Sequence, residues 1–206
     1  MTADLSPQDV SFTKHALDTA GRLFSEHGPN SVSMYTIASA AGVDPADFRR
    51  VFPSKLDLIH QLVLDRTKTL VERETTATDT ELSPVEQMRA LIRRHIEFNC
   101  RCRTELELRR VLLPTLRAIS PRRYRELSQL LRAYHDRVHR LIEQGCALGL
   151  FHPSDDSREP VSATTVLRTL ESSLNWYEPD SKLPLEQLSD VYEDLVLHHL
   201  LGVARS

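Results

Sequence analysis

The apolar residues of this chain recur at helical spacing, and glycine and proline, rather than hairpin turns, separate one periodic stretch from the next. From Phe12 the apolar side runs through Phe12, Ala16, Ala20, Leu23 and Phe24, the i, i+4 and i+3 repeat of one helix face. No convincing period-two alternation marks a strand, and only six glycines serve 206 residues. A chain of this length can bury a sizeable core. An all-α fold is therefore expected.

Local signals place the helix ends. Gly28 followed by Pro29 stops the first helix. Ser33 is a candidate N-cap for a short helix with Met34, Ile37, Ala38 and Ala41 on its inner face. Gly42 turns the chain. Asp44 caps a third helix with Pro45 at its first position, where the missing N–H costs nothing. Its inner face is expected to be Phe48, Val51 and Phe52. Pro53 ends it, and Ser54, with Asp57 three residues on, opens a fourth helix. Longer helices are expected over about 55–75, 84–102, 104–119, 121–147, 160–178 and 184–202, with Pro114 kinking or dividing the segment that contains it. The polar stretches TTATDTELSP, GLFHPSDDSREP and EPDSKLP read as breaks.

Two short helices joined by Ala40-Ala41-Gly42-Val43 fit a helix-turn-helix. Opposite its apolar side, the second of them carries Ala46, Asp47, Arg49 and Arg50, a face suited to the major groove. A solvated helical hairpin is the competing reading of that pattern. Arg49 and Arg50 are candidates for phosphate or guanine; Asp47 is a candidate to accept from cytosine, to steer Arg50 or simply to favour the helix start. Residues 1–55 carry five basic and six acidic side chains, a net of −1, within a chain of net −3. Any DNA contact must therefore come from placement rather than bulk charge.

Three stretches, ALDTAGRLFSEHG, SMYTIASAAGV and FPSKLDLI, lie in order within residues 12–60. Together they resemble the N-terminal domain of the tetracycline-repressor (TetR) family of transcriptional regulators. The resemblance implies a DNA-binding domain over 1–54 and a ligand-binding and dimerisation domain over 55–206, linked by a long helix. It implies that Ser33 caps the first helix of the motif and meets a phosphate, that Tyr35 touches the backbone or a base, and that Lys55 reaches a phosphate. Asp44 is included among the DNA-binding candidates. The recognition helix departs from the family pattern: Asp47 stands for a Ser/Thr, Phe48 for a Leu and Arg49 for a Tyr.

A homodimer bound to double-stranded operator DNA is expected, because one short helix reads too few bases for high specificity. The candidate interface is two apolar stripes, Val161, Leu167, Leu170 and Leu174 on one helix and Leu188, Val191, Leu195 and Leu200 on the next. The competing reading is that both stripes pack inward. The ending NWYEPDSKLPLEQLSDVYEDLVLHHLLG resembles family members that respond to acyl-CoA thioesters. That likeness implies a small-molecule effector, for which Phe98, Asn99, Leu112, Leu116, Tyr124 and Trp176 are candidate contacts. Arg93, Arg94, Arg109 and Arg110 are either partners for CoA phosphates or a solvated helix face.

Other classes are not favoured. No Gly-x-Ser-x-Gly, phosphate loop or zinc motif suggests an enzyme, and no resident cofactor or metal is expected. Cys100, Cys102 and Cys146 cannot all pair within one chain, so reduced thiols are expected. His135 and His139 share a face without a third ligand in view. No apolar run nears the roughly 18 residues that suggest a membrane span, and the N-terminus reads as no secretory signal. A cytoplasmic homodimeric repressor released by its effector is the leading expectation; the alternative is a dimeric ligand-binding or interaction protein that has lost operator binding.

Overall fold

The computed structural model describes residues 7–76, 82–152, 161–178 and 183–205, and these are all-α. The helices are α1 (Pro7–His27), α2 (Met34–Ala40), α3 (Pro45–Val51), α4 (Lys55–Thr76), α5 (Pro84–Arg101), α6 (Arg103–Ile119), α7 (Pro121–Ala147), α8 (Ala163–Glu171), α9 (Ser173–Trp176) and α10 (Leu185–Asp194). A wider π-helical turn, Leu195–Leu200, continues α10; there Leu201 N–H donates to the Val196 carbonyl, five residues back. Residues 1–6 and most of the three expected breaks, at 77–81, 153–160 and 179–182, lie outside the described residues.

The chain divides into two compact units. One is Met1–Arg66 with Thr104–Pro121; the other is Thr67–Arg103 with Arg122–Ser206. The dividing point after Arg66 falls inside α4, whereas the expected functional division stands at 54/55.

The first unit is built around Ala16, Leu17, Ala20, Leu23 and Phe24 of α1, which pack with Ile37, Ala38, Phe48, Phe52, Leu58 and Leu62. Leu108 of α6 joins this cluster. Arg66 ties three helices together, meeting Asp18 of α1 at 2.7 Å and Glu105 of α6 at 3.5 Å, beside its own neighbour Asp65. The inner face of α3 differs from expectation at one position. Val51 is 39% exposed, because it lies about 60° around the helix from the line through Phe48.

The second unit packs α5 against α8, α9, α10 and the π turn. Its core holds Met88, Leu91, Ile92 and Ile96 of α5, Val138, Leu141 and Ile142 of α7, and Val166, Leu170, Leu188, Tyr192, Val196 and Leu197. Ser83 and Glu86 form a reciprocal capping box at the start of α5. The helix expected over 104–119 runs through Pro114 without dividing; proline removes one ladder bond there, and Thr115 Oγ1 donates to the Val111 carbonyl. The helix expected over 160–178 is shorter, starting at Ala163, where Ser162 caps it, and giving way to α9 at Ser172.

Candidate nucleic-acid interface

The turn between α2 and α3 is fixed by its backbone. Gly42 adopts φ +65°, a conformation that other residues rarely take. Its N–H donates to the Ser39 carbonyl, and Val43 N–H to Ala38. Each short helix begins on a side-chain cap. Ser33 Oγ accepts from Thr36 N–H at 3.0 Å, and Asp44 Oδ1 accepts from Ala46 N–H at 2.8 Å. Such caps each contribute about 1 kcal/mol, which matters for helices of seven residues.

Phe48 is fully buried, and its ring packs 5.1 Å from that of Phe52. At about 100° per residue this fixes the rest of α3. Ala46 and Arg50 lie opposite Phe48, at the middle of the exposed face. Arg49 and Asp47 fall on its two flanks. Arg50 Nη2 meets Asp47 Oδ1 at 3.3 Å. Arg49 instead lines a cleft of about 260 Å³ with Met34, Tyr35, Pro45, Ala46 and Phe48. Tyr35, 69% exposed, stands at the mouth of α2. Ser33, Tyr35, Asp44, Ala46, Asp47, Arg49 and Arg50 are all exposed on this one end of the first unit. Met34 and Pro45 complete the cleft and were not among the candidates, although their place beside the two caps gives them to it.

Lys55 is placed differently from its implied role. Its Nζ donates to the Val32 carbonyl at 2.6 Å and lies 5.8 Å from the centre of the Phe24 ring. The half-buried ammonium thus pins the start of α4 to the loop ahead of α2, and two further N–H donors remain to it.

The candidate effector contacts are divided between the units, with Leu112 and Leu116 in the first and Phe98, Asn99, Tyr124 and Trp176 in the second. Asn99 is buried, and its amide donates to the Leu170 carbonyl at 3.0 Å and Ser173 Oγ at 3.2 Å. It borders a cleft of only about 10 Å³ with Cys100, Arg103, Ser173, Leu174 and Tyr177. Burial raises the Cys100 thiol above its ordinary pKa, against a smaller opposite pull from Arg103. Tyr124 borders an open depression of about 420 Å³ on α7 with Arg125, Ser128, Gln129 and Arg132. Trp176 is 53% exposed and stacks on Tyr192.

Two of the four arginines considered for phosphate binding are committed elsewhere. Arg94 makes a two-pronged bond to Glu74 at 2.7 and 2.9 Å, and Arg93 reaches Asp190 at 2.6 Å and Glu193 at 2.8 Å. Asp190 holds the Arg93 pKa above its ordinary value.

The expected interface stripes are also partly redirected. Leu170 and Leu188 are buried in the core of the second unit, and Leu174 is buried too. Val161, Leu167 and Leu200 are partly covered by the same core. Val191, 51% exposed, and Leu195 remain open. Helical periodicity shows that a face is apolar but not which surface covers it.

Two family models match the chain. "Bacterial regulatory proteins, tetR family" covers residues 16–62. "Tetracyclin repressor-like, C-terminal domain" covers residues 81–200, more than half of the chain. The chain belongs to the TetR family. Among its relatives is the HTH-type transcriptional repressor KstR2 of Mycolicibacterium smegmatis, 23% identical over 96% of this chain and 94% of that protein. Among solved structures, the TetR-family fold recurs in AibR in complex with isovaleryl coenzyme A and operator DNA, with TM-score 0.69 and 21% identity over 94% of this chain and all of that one. It recurs again in FadR of Bacillus subtilis in complex with stearoyl-CoA, with TM-score 0.67 and 17% identity over 93% and 99% of the two chains. The α2–α3 motif is the TetR-family helix-turn-helix, and the protein is a TetR-family transcriptional regulator.

Proposed function

We propose that this regulator is a homodimeric repressor that leaves its operator when a small molecule, an acyl-CoA thioester in the leading case, binds the 55–206 region. The carrying observation is the α3 face. Three charged side chains and Ala46 stand exposed around an axis set by buried Phe48, with Tyr35 beside them. An exposed helix of this kind fits a major groove. A two-fold pair of such helices about 34–40 Å apart would read both half-sites. Ser33, Tyr35, Arg49 and the remaining donors of Lys55 are assigned to the backbone.

Val191 and Leu195, with Trp176 nearby in the second unit, supply the apolar surface that a symmetry mate would cover. The acyl-CoA reading is supported by the bound ligands of AibR and FadR. Within this chain, Arg125 and Arg132 border the α7 depression without an ion-pair partner among the described residues, and are the better candidates for CoA phosphates than Arg93 and Arg94. Phe98, in the same unit as that depression, is assigned to the acyl chain.

A ligand releases DNA only if it binds better to a dimer whose heads are wrongly spaced. Helix α4, unbroken from Lys55 to Thr76, is the element through which such a change would pass. The alternative of lost operator binding rests on the exposed carboxylate of Asp47 and on the net charge of −1 over residues 1–55; the pairing of Asp47 with Arg50 offsets the first of these.

Gel shifts against the DNA upstream of the gene, with and without acyl-CoAs and the matching free acids, test the reading. Binding to that DNA, lost on adding a CoA ester but not its acid, is expected. No binding to any duplex would overturn it.

A further inference from the structure

Two adjacent arginines on α3 have the same chemistry but different surroundings. Arg49 lies on the flank facing α2 and has no carboxylate partner among the described residues. Arg50 stands at the middle of the exposed face, one turn beyond Ala46, and is paired with Asp47. Resting on the operator-binding reading above, we infer that Asp47 positions the Arg50 guanidinium for the O6/N7 edge of a guanine, so that each half-site carries a G·C pair opposite the middle of α3, while Arg49 serves the DNA backbone.

The electrostatics favour this division. An arginine at a DNA surface has two destinations, a phosphate or the acceptor edge of guanine. A carboxylate held beside it is repelled by phosphates, so the pair is costly to place against the backbone and tolerable over the groove floor. The floor offers Asp47 a donor of its own, the N4 amino group of a cytosine. The 3.3 Å approach is at Nη2 of Arg50, and a guanidinium carries five N–H donors, enough to make the two-pronged bond to guanine beside it. An exposed ion pair is weak in water, but it need only bias the side chain between two orientations. Ala46, small and central, lets the helix approach closely enough for that reach.

The test uses the full chain and a duplex library with a randomised core. The enriched duplex is compared with the same duplex after its half-site guanine pairs are exchanged for A·T, for the parent and for Asp47→Asn, Arg50→Lys and Arg49→Lys, across a salt titration. For the parent, exchange should weaken binding about tenfold or more, the worth of one good two-pronged base contact. Asp47→Asn should bind both duplexes at least as tightly as the parent, with discrimination reduced several-fold and a steeper salt dependence, because the freed guanidinium takes a phosphate. Arg50→Lys should lose the discrimination, whereas Arg49→Lys should keep it. Helical content by circular dichroism shows that each variant is folded. An enriched half-site without such a G·C pair would overturn the inference and leave the operator-binding reading standing. So would an Asp47→Asn protein that loses affinity for both duplexes at an unchanged salt slope. Failure to enrich any duplex would overturn both.

Discussion

The ammonium of Lys55 donates to the backbone carbonyl of Val32 across 23 residues of sequence, at 2.6 Å. The bond closes the loop ahead of α2 against the first turn of α4, and so fixes the platform on which Ser33 and Tyr35 stand. Lys55→Ala is expected to destabilise the protein by about 1–3 kcal/mol, the range for a hydrogen bond from a charged donor. It should also weaken binding to all duplexes without changing base preference. Thermal unfolding checks the first effect and the gel shift the second. An unchanged melting temperature would show that the bond contributes nothing to the platform.

Arg66 is mostly buried and faces Asp18, Asp65 and Glu105. Removing it strands the nearly buried carboxylate of Glu105. Arg66→Met should therefore cost about 2–4 kcal/mol, and Glu105→Gln clearly less, since Arg66 keeps Asp18 and Asp65 as charge partners. Denaturant titration of the full chain ranks the two variants, and equal costs would mean that Glu105 is not held by Arg66.

Val191 and Leu195 are the open remainder of the expected interface stripe. Val191→Asp should shift the protein from dimer to monomer at micromolar concentration, measured by light scattering. Trp176 is the chain's only tryptophan, and its indole N–H donates to Tyr192 Oη at 3.1 Å. Its emission should move to longer wavelength in the same variant, as water reaches a surface that a symmetry mate had covered. A monomeric parent would refute the interface.

The Glu86 carboxyl is held below its ordinary pKa, first by the Ser83 hydroxyl and then by the Ser83 N–H. A group whose pKa is lower in the folded state stabilises above its unfolded value, and that stabilisation fades as pH falls through the lowered one. Helix α5 should therefore lose support at its start on acidification below the ordinary carboxylate range. Glu86→Gln should flatten that part of the acid-unfolding curve. Because Glu86 is fully exposed, the change should be small and read as a difference between the two curves.

Much of the first unit was legible because its signals are local. Ser33, Gly42, Asp44, Pro45 and Ser54 each act within four residues, and the caps formed where expected. Ser83-Pro84-Val85-Glu86 carried an equally local sign for α5 that the helix boundaries alone did not use. The second unit was less legible because its decisive contacts are distant in sequence. Asn99 meets Ser173 across 74 residues, and Arg93 meets Asp190 across 97. Leu170 and Leu188 look like interface residues in a helical repeat, yet the protomer's own core takes them. The turn of Lys55 toward Val32 left no mark in the FPSK stretch, since a backbone carbonyl has no sequence signature.

Gly21 of α1 leaves a gap that the side chain of Glu105 occupies: a methyl group there would come within 2.8 Å of Glu105 Oε1, itself held in place by Arg66. The two positions, 84 residues apart by their numbers, therefore share one space. Alanine at 21 need only push the tip of that flexible side chain aside, so its cost falls on the contact between Glu105 and Arg66 rather than on the packing of α1.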